Sequence, residues 1–119
     1  MSERRAFSRV ECAVDATLQV EDESFPSKIR GLSLNGALID TAASPRKGDK
    51  VTVTLTMALT VRCPGRVVRA ERRGLGVAFE DLDQESLAHL RDIVSAHGVA
   101  PEAIDKELAR ALRGDKADQ

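Results

Sequence analysis

Two stretches of the sequence alternate apolar and polar residues with a period of two, and this pattern constrains the fold more than any other feature. In residues 12–20 every even-numbered position is apolar. In residues 51–61 every odd-numbered position is apolar, and threonine occupies most of the positions between. Because successive side chains of a strand point to opposite faces, each stretch predicts one half-buried β-strand.

Four shorter segments predict further strands. Residues 29–34 and 37–40 flank Asn35-Gly36, which predicts a chain reversal because Asn and Gly both tolerate positive φ. Residues 66–71 and 73–79 predict another hairpin. Six short strands at this spacing predict an all-β core in the form of a small antiparallel barrel, since closure removes exposed strand edges.

The hydrophobic period then changes to that of a helix. Asp83 is placed to cap a first helix that ends before Gly98, and Pro101 is placed to open a second. The apolar stripes are Leu87, Leu90 and Val94 on the first helix and Ile104, Leu108 and Leu112 on the second. We expect the second helix to be a docking element outside the barrel core, with packing back onto the barrel as the alternative.

Composition excludes several classes of protein. The 119 residues correspond to about one domain. Aromatic residues make up only 3%, which argues against modules that stack bases on aromatic side chains. The N-terminus has no apolar signal core, and no uncharged stretch approaches the roughly 20 residues that span a bilayer. Two cysteines are too few for a disulfide framework, so we expect a cytoplasmic protein with reduced thiols and no membrane insertion.

Nothing in the sequence predicts catalysis or a resident cofactor. His89 and His97 are too far apart to share a metal ion, and no other metal-ligand spacing accompanies them. The charges are instead distributed unevenly: residues 1–78 hold 13 Lys and Arg against nine Asp and Glu, and residues 79–119 hold five against ten. We therefore expect a binding protein without a metal site, with any anionic ligand bound by the first two-thirds of the chain.

Three arginines lie just before the first predicted strand. Arg4, Arg5 and Arg9 form a cluster that is usually a solvated arm when it occurs alone. Guanidinium groups, however, bind phosphate oxygens in a fork and donate in pairs to guanine O6 and N7. The arm therefore has the chemistry to hold a guanine nucleotide, and Ser33 and Gly36 add a hydroxyl and a position open to close approach.

Together these residues resemble the PilZ domain family. The family has an RxxxR motif before the first strand and a (D/N)xSxxG motif on the second and third strands of a six-stranded barrel, and the two motifs bind cyclic di-GMP. The resemblance assigns Arg5 and Arg9 to the first motif, with Arg4 as a frequent extra arginine, and Ser33 and Gly36 to the second. Gly31 stands where the family has Asp or Asn, so a side-chain acceptor for the guanine edge is missing.

The resemblance implies three parts: a flexible arm of residues 1–10, a barrel with one helix at residues 11–97, and a C-terminal helix with a frayed tail at residues 98–119. It also implies a receptor that binds cyclic di-GMP and relays the signal to a protein partner. The sequence does not indicate an oligomeric state. An adaptor that has lost nucleotide binding and acts through protein contacts in motility is the alternative, which Gly31 favours and the arginines oppose. Nucleic-acid binding is disfavoured because neither predicted helix is basic.

Overall fold

The computed structural model describes residues 7–57, 59–72 and 74–112. Its elements are β1 (Val10–Val20), β2 (Glu23–Ser33), β3 (Gly36–Thr41), β4 (Lys50–Thr56), β5 (Thr60–Glu71), β6 (Gly74–Phe79), α1 (Gln84–Ala96) and α2 (Pro101–Leu112). The strands form a closed antiparallel barrel in the order β1-β2-β3-β6-β5-β4. This confirms the predicted six-stranded barrel with C-terminal helices.

The period-two positions fill the interior of the barrel. Inward-facing residues from the strands are completely or almost completely buried, among them Leu18, Ile29, Leu32, Ile39, Val53, Leu55 and Val67. Helix α1 packs against β5 and β2 and adds Leu90 and Val94, both fully buried, to the same cluster. The core is therefore built from the apolar alternation together with one helical stripe.

The ends of α1 follow the sequence signals. The carboxylate of Asp83 accepts a hydrogen bond of 2.7 Å from the backbone N–H of Ser86, as an N-cap does. Gly98 follows the C-terminal cap with a φ of +126°, a conformation that favours glycine. No helix in the described part of the chain has the length and apolar character needed to cross a membrane.

The single strand predicted at residues 51–61 is wrong, because the segment contains a hairpin. β4 ends at Thr56 and β5 begins at Thr60, with Met57 and Leu59 44% and 57% exposed in the turn. Leu55 and Val61 are paired across the two strands and both point inward. The apolar residues therefore keep their period of two on both sides of the turn and through it, so the sequence pattern does not indicate the turn. For the same reason, the strand predicted to begin at residue 66 begins at Thr60.

The chain reverses between β2 and β3 as predicted, but not through positive φ. Ser33 pairs with Gly36, so Leu34 and Asn35 form the two-residue loop. Among the described residues, positive φ occurs only at Glu21, Gly48, Gly74, Asp81 and Gly98. Position 36 requires glycine for another reason: a Cβ there would lie 2.6 Å from the carbonyl oxygen of Val77 on β6. Close contact between β3 and β6 excludes a side chain.

Helix α2 packs against α1, and part of it belongs to the core. Ile104 is fully buried in the same cluster as the barrel residues, whereas Leu112 is 47% exposed. Arg91 of α1 pairs with Asp105 of α2 at 2.8 Å between Nη2 and Oδ1. The expectation that this helix lies outside the core is therefore wrong at Ile104, because packing against α1 buries the first part of its stripe.

Candidate ligand-binding face

Four of the six predicted site residues lie within the described part of the chain. Arg4 and Arg5 lie outside the described residues, and Arg9, Gly31, Ser33 and Gly36 lie within them. Of the arm expected at residues 1–10, residues 1–6 lie outside the described residues, and Phe7 is only 3% exposed and belongs to the core. β1 then begins at Val10, which pairs with Leu32 of β2. This anchoring carries Arg9 toward the second motif.

The side chain of Arg9 lies against Gly31. A Cβ built on Gly31 would lie 3.6 Å from Cδ and 3.8 Å from Cγ of Arg9, and 3.6 Å from Cβ of Leu38. The aliphatic stem of the arginine therefore passes over a glycine with no side chain of its own. Arg9 remains exposed at this point. The fold thus brings the last arginine of the first motif to the first position of the second.

The other two motif residues lie further along the same strand pair. Gly31 and Ser33 are two residues apart on β2 and so share one face, about 7 Å from each other. Ser33 is 1% exposed, and its Oγ lies 2.6 Å from Oδ1 of Asn35 and accepts from the backbone N–H of Asn35 at 3.3 Å. This hydroxyl holds the β2–β3 loop in shape, next to the close approach of Gly36 to β6.

A row of outward-facing residues extends the face across four strands. Paired positions lead from Gly31 on β2 to Leu38 on β3, Gly76 on β6 and Arg69 on β5. Because neighbouring strands lie about 4.8 Å apart, the row is roughly 14 Å long. It also runs beside two β-bulges, one in β2 and one in β5, and such bulges are common next to functional sites.

The row combines a low, largely apolar floor with arginine side chains at its two ends. Glycines at 31 and 76 leave it low, and a Cβ on Gly76 would lie 3.7 Å from Cγ2 of Val68, which is 49% exposed. Arg69 is 66% exposed and pairs with Glu71 at 3.7 Å between Nε and Oε2. An apolar floor with a guanidinium group at each end suits a flat base and its phosphates. Sequence motifs missed Leu38, Val68, Gly76 and Arg69, because only the register of the strands brings them together.

The described residues offer little for other chemistry. No group of three His, Cys, Asp or Glu side chains within residues 7–57, 59–72 and 74–112 is arranged to hold a metal ion. Burial raises the pKa of Cys12, and burial with the nearby Asp83 carboxylate raises the pKa of Cys63 to about 12. Both thiols are therefore held in the neutral form, which is a poor nucleophile and a poor metal ligand.

Comparison with known proteins decides the family. A model of the PilZ domain matches residues 3–96, which is most of the chain. The chain belongs to the PilZ domain family. The match includes the arginine segment, the barrel and α1, and ends before α2. The match confirms the family that the sequence motifs resembled. PilZ domains are signalling receptors or adaptors. No curated protein matches the chain.

Solved PilZ structures share the fold at low sequence identity. The PilZ domain of CeSA from a cellulose-synthesizing bacterium is 13% identical, with a TM-score of 0.62 over 75% of this chain and 96% of that one. The PilZ domain of YcgR from Escherichia coli, solved with cyclic di-GMP, is 16% identical, with a TM-score of 0.63 over 95% and 99%. The inhibitor of motility MotI/DgrA from Bacillus subtilis is 12% identical, with a TM-score of 0.63 over 96% of this chain and 54% of that one.

Proposed function

We propose that this PilZ domain is a cytoplasmic cyclic di-GMP receptor that binds the nucleotide on the outward face of β2, β3, β6 and β5. The main support is the contact of Arg9 with Gly31, which joins the positions of the two family motifs in one surface. The PilZ domain of YcgR, solved with cyclic di-GMP, supports the choice of ligand.

In this proposal the arginines bind the polar groups of the nucleotide and the barrel surface supports a base. Arg5 and Arg9 donate in pairs to phosphate oxygens or to a guanine edge, with Arg4 as a third donor. One base lies on the low surface at Leu38 and Gly76, beside the stem of Arg9 that covers Gly31. In the bound state Arg4 and Arg5 lie with Arg9 against the nucleotide, which changes the surface presented to a protein effector.

A second candidate function is an adaptor that acts through protein contacts without nucleotide. Gly31 favours it, because this position lacks the carboxylate or amide acceptor that the family motif has there. A hydrogen bond to a charged group contributes about 1.5–3 kcal/mol, so its loss weakens a site by roughly 10- to 100-fold. The contact of Arg9 with the motif favours the receptor instead.

Isothermal titration with cyclic di-GMP separates the two functions. We expect the wild-type chain to bind in the low-micromolar range or weaker. Arg5→Ala and Arg9→Ala each remove a bidentate donor, and we expect each to cost about 1–3 kcal/mol of binding free energy. Arg62→Ala is the matched control, because Arg62 is an exposed arginine in the part of β5 that pairs with β4.

Each outcome bears on a different part of the proposal. A wild-type chain without measurable binding favours the adaptor. Binding that is equal in the wild type and both motif variants shows that the nucleotide binds elsewhere. Affinity that falls with rising salt in the wild type, and less steeply in Arg9→Ala, supports a phosphate contact at Arg9.

A further inference from the structure

Helix α2 holds the residue that precedes Arg9. The carboxylate of Glu107 accepts two hydrogen bonds from Ser8: one from the backbone N–H to Oε1 at 2.8 Å and one from Oγ to Oε2 at 2.5 Å. Both residues are partly buried, and they are 99 positions apart in the chain. A carboxylate that uses both oxygens on one residue fixes the orientation of that residue as well as its position.

We call these two Ser8–Glu107 hydrogen bonds the clamp. The residues on both sides of Ser8 are also held against the barrel. Phe7 is buried in the core on one side of Ser8, and on the other side Arg9 crosses Gly31. With the N–H of Ser8 occupied, the backbone that leads into Arg9 has little freedom to rotate. Since the reach of a guanidinium group is set by its backbone, the clamp limits the region that Arg9 explores.

The helix that carries Glu107 is itself well supported. Ile104, one turn before it, is fully buried, and Asp105 pairs with Arg91 of α1. Its support therefore comes from the folded core. The family match ends at residue 96, so Glu107 belongs to a part of the chain outside the matched family residues.

We propose that Glu107 is a positioning residue of the nucleotide site, which acts by clamping Ser8 and thereby holding Arg9 over Gly31 before the ligand arrives. This role rests on the proposed function. A preorganised arginine loses less conformational freedom on binding, so the clamp strengthens binding without touching the nucleotide. It also couples the occupied site to α2, because any pull on Arg9 acts through Ser8 on Glu107.

Titration with cyclic di-GMP tests the effect on affinity. We expect Glu107→Ala to weaken binding by about three- to tenfold, the usual cost of ordering one long side chain. Glu107→Gln keeps one acceptor oxygen and should lose less, and Ser8→Ala removes only the hydroxyl and should lose less as well. The double variant Ser8→Ala with Glu107→Ala should bind no worse than Glu107→Ala alone, because both changes act on the same Ser8–Glu107 interaction. Glu102→Ala, at an exposed position of α2, is the control.

Amide hydrogen exchange without ligand tests the clamp itself. We expect the Ser8 amide to exchange about tenfold faster in Glu107→Ala, while the Ala16 amide in β1 is unchanged. Unchanged exchange at Ser8 overturns the clamp. Faster exchange with full affinity in every variant overturns the positioning role and leaves Glu107 a structural contact. A wild type that does not bind cyclic di-GMP overturns the proposed function and the positioning role, whereas the exchange of Ser8 still reports the contact separately.

Discussion

At the scale of the residue, the glycines at the two ends of the second motif differ in whether the fold requires them. Gly36 has no room for a side chain, because a Cβ would lie 2.6 Å from the backbone oxygen of Val77. At Gly31 the nearest atoms to such a Cβ are 3.6 Å away, and its φ is not positive. Packing therefore explains Gly36 but not Gly31. The fold therefore does not require the departure from the family pattern at position 31, and under the proposed function the departure affects ligand affinity.

Restoring the acceptor at this position should therefore strengthen the site. We expect Gly31→Asp to fold normally and to bind cyclic di-GMP several-fold more tightly, because a carboxylate there lies beside Arg9 and accepts from the guanine edge. Calorimetric titration measures the change. Gly31→Ala is the control, since it adds the same Cβ without an acceptor. If Asp and Ala bind equally, position 31 does not face the nucleotide.

At the scale of the element, the sequence predicted helices better than strand ends. The cap at Asp83 and the break at Gly98 were both confirmed, because the hydrogen-bonding and conformational needs of helix ends are local. The β4–β5 turn was missed, because Leu55 and Val61 face inward on both sides of it. The contribution of α2 depended on which stripe residue meets α1, and no local pattern distinguishes Ile104 from Leu112.

The apolar residues of α2 should consequently contribute unequally to the free energy of unfolding. We expect Ile104→Ala to lower the free energy of unfolding by about 2–5 kcal/mol, because it removes a fully buried aliphatic side chain and leaves a cavity. Leu112→Ala, at an exposed position of the same stripe, should stay within about 0.5 kcal/mol of the wild type. Urea denaturation compares the two variants. Equal losses would show that the end of α2 is buried to the same extent in solution.

At the scale of the whole molecule, strand pairing in the barrel brings together residues that sequence motifs alone do not connect. Arg9 and Gly31 were found because they stand in recognisable spacings. Gly76 and Arg69 join them only through the pairing of β3 with β6 and of β6 with β5. The fold also brings the acidic and basic parts of the chain together, since Glu107 from the acidic part accepts a hydrogen bond from Ser8 in the N-terminal part. Long-range register, which the sequence pattern does not encode locally, completes the candidate site.

Because the barrel is closed, chemical labelling of the Cys63 thiol measures unfolding of the whole domain. Cys63 on β5 is fully buried, with its pKa raised by burial and by Asp83 from 9.0 to about 12. A closed barrel has no edge strand that can open alone, so reaching this thiol requires cooperative unfolding. We expect iodoacetamide at neutral pH to label the partly exposed Cys12 first and Cys63 only in urea, with mass spectrometry locating the adduct.

The raised pKa of Cys63 also predicts a loss of stability in alkali. Between pH 9 and about 12 the folded chain keeps a proton on this thiol that the unfolded chain releases. The corresponding contribution to stability is therefore complete below pH 9 and declines as the pH rises through that interval. We expect urea denaturation of the wild type to show a steeper alkaline decline than that of Cys63→Ala, measured against each variant's own stability at pH 7. Parallel declines, or labelling of Cys63 as fast as Cys12 in the native protein, would show that solvent reaches the barrel interior without global unfolding.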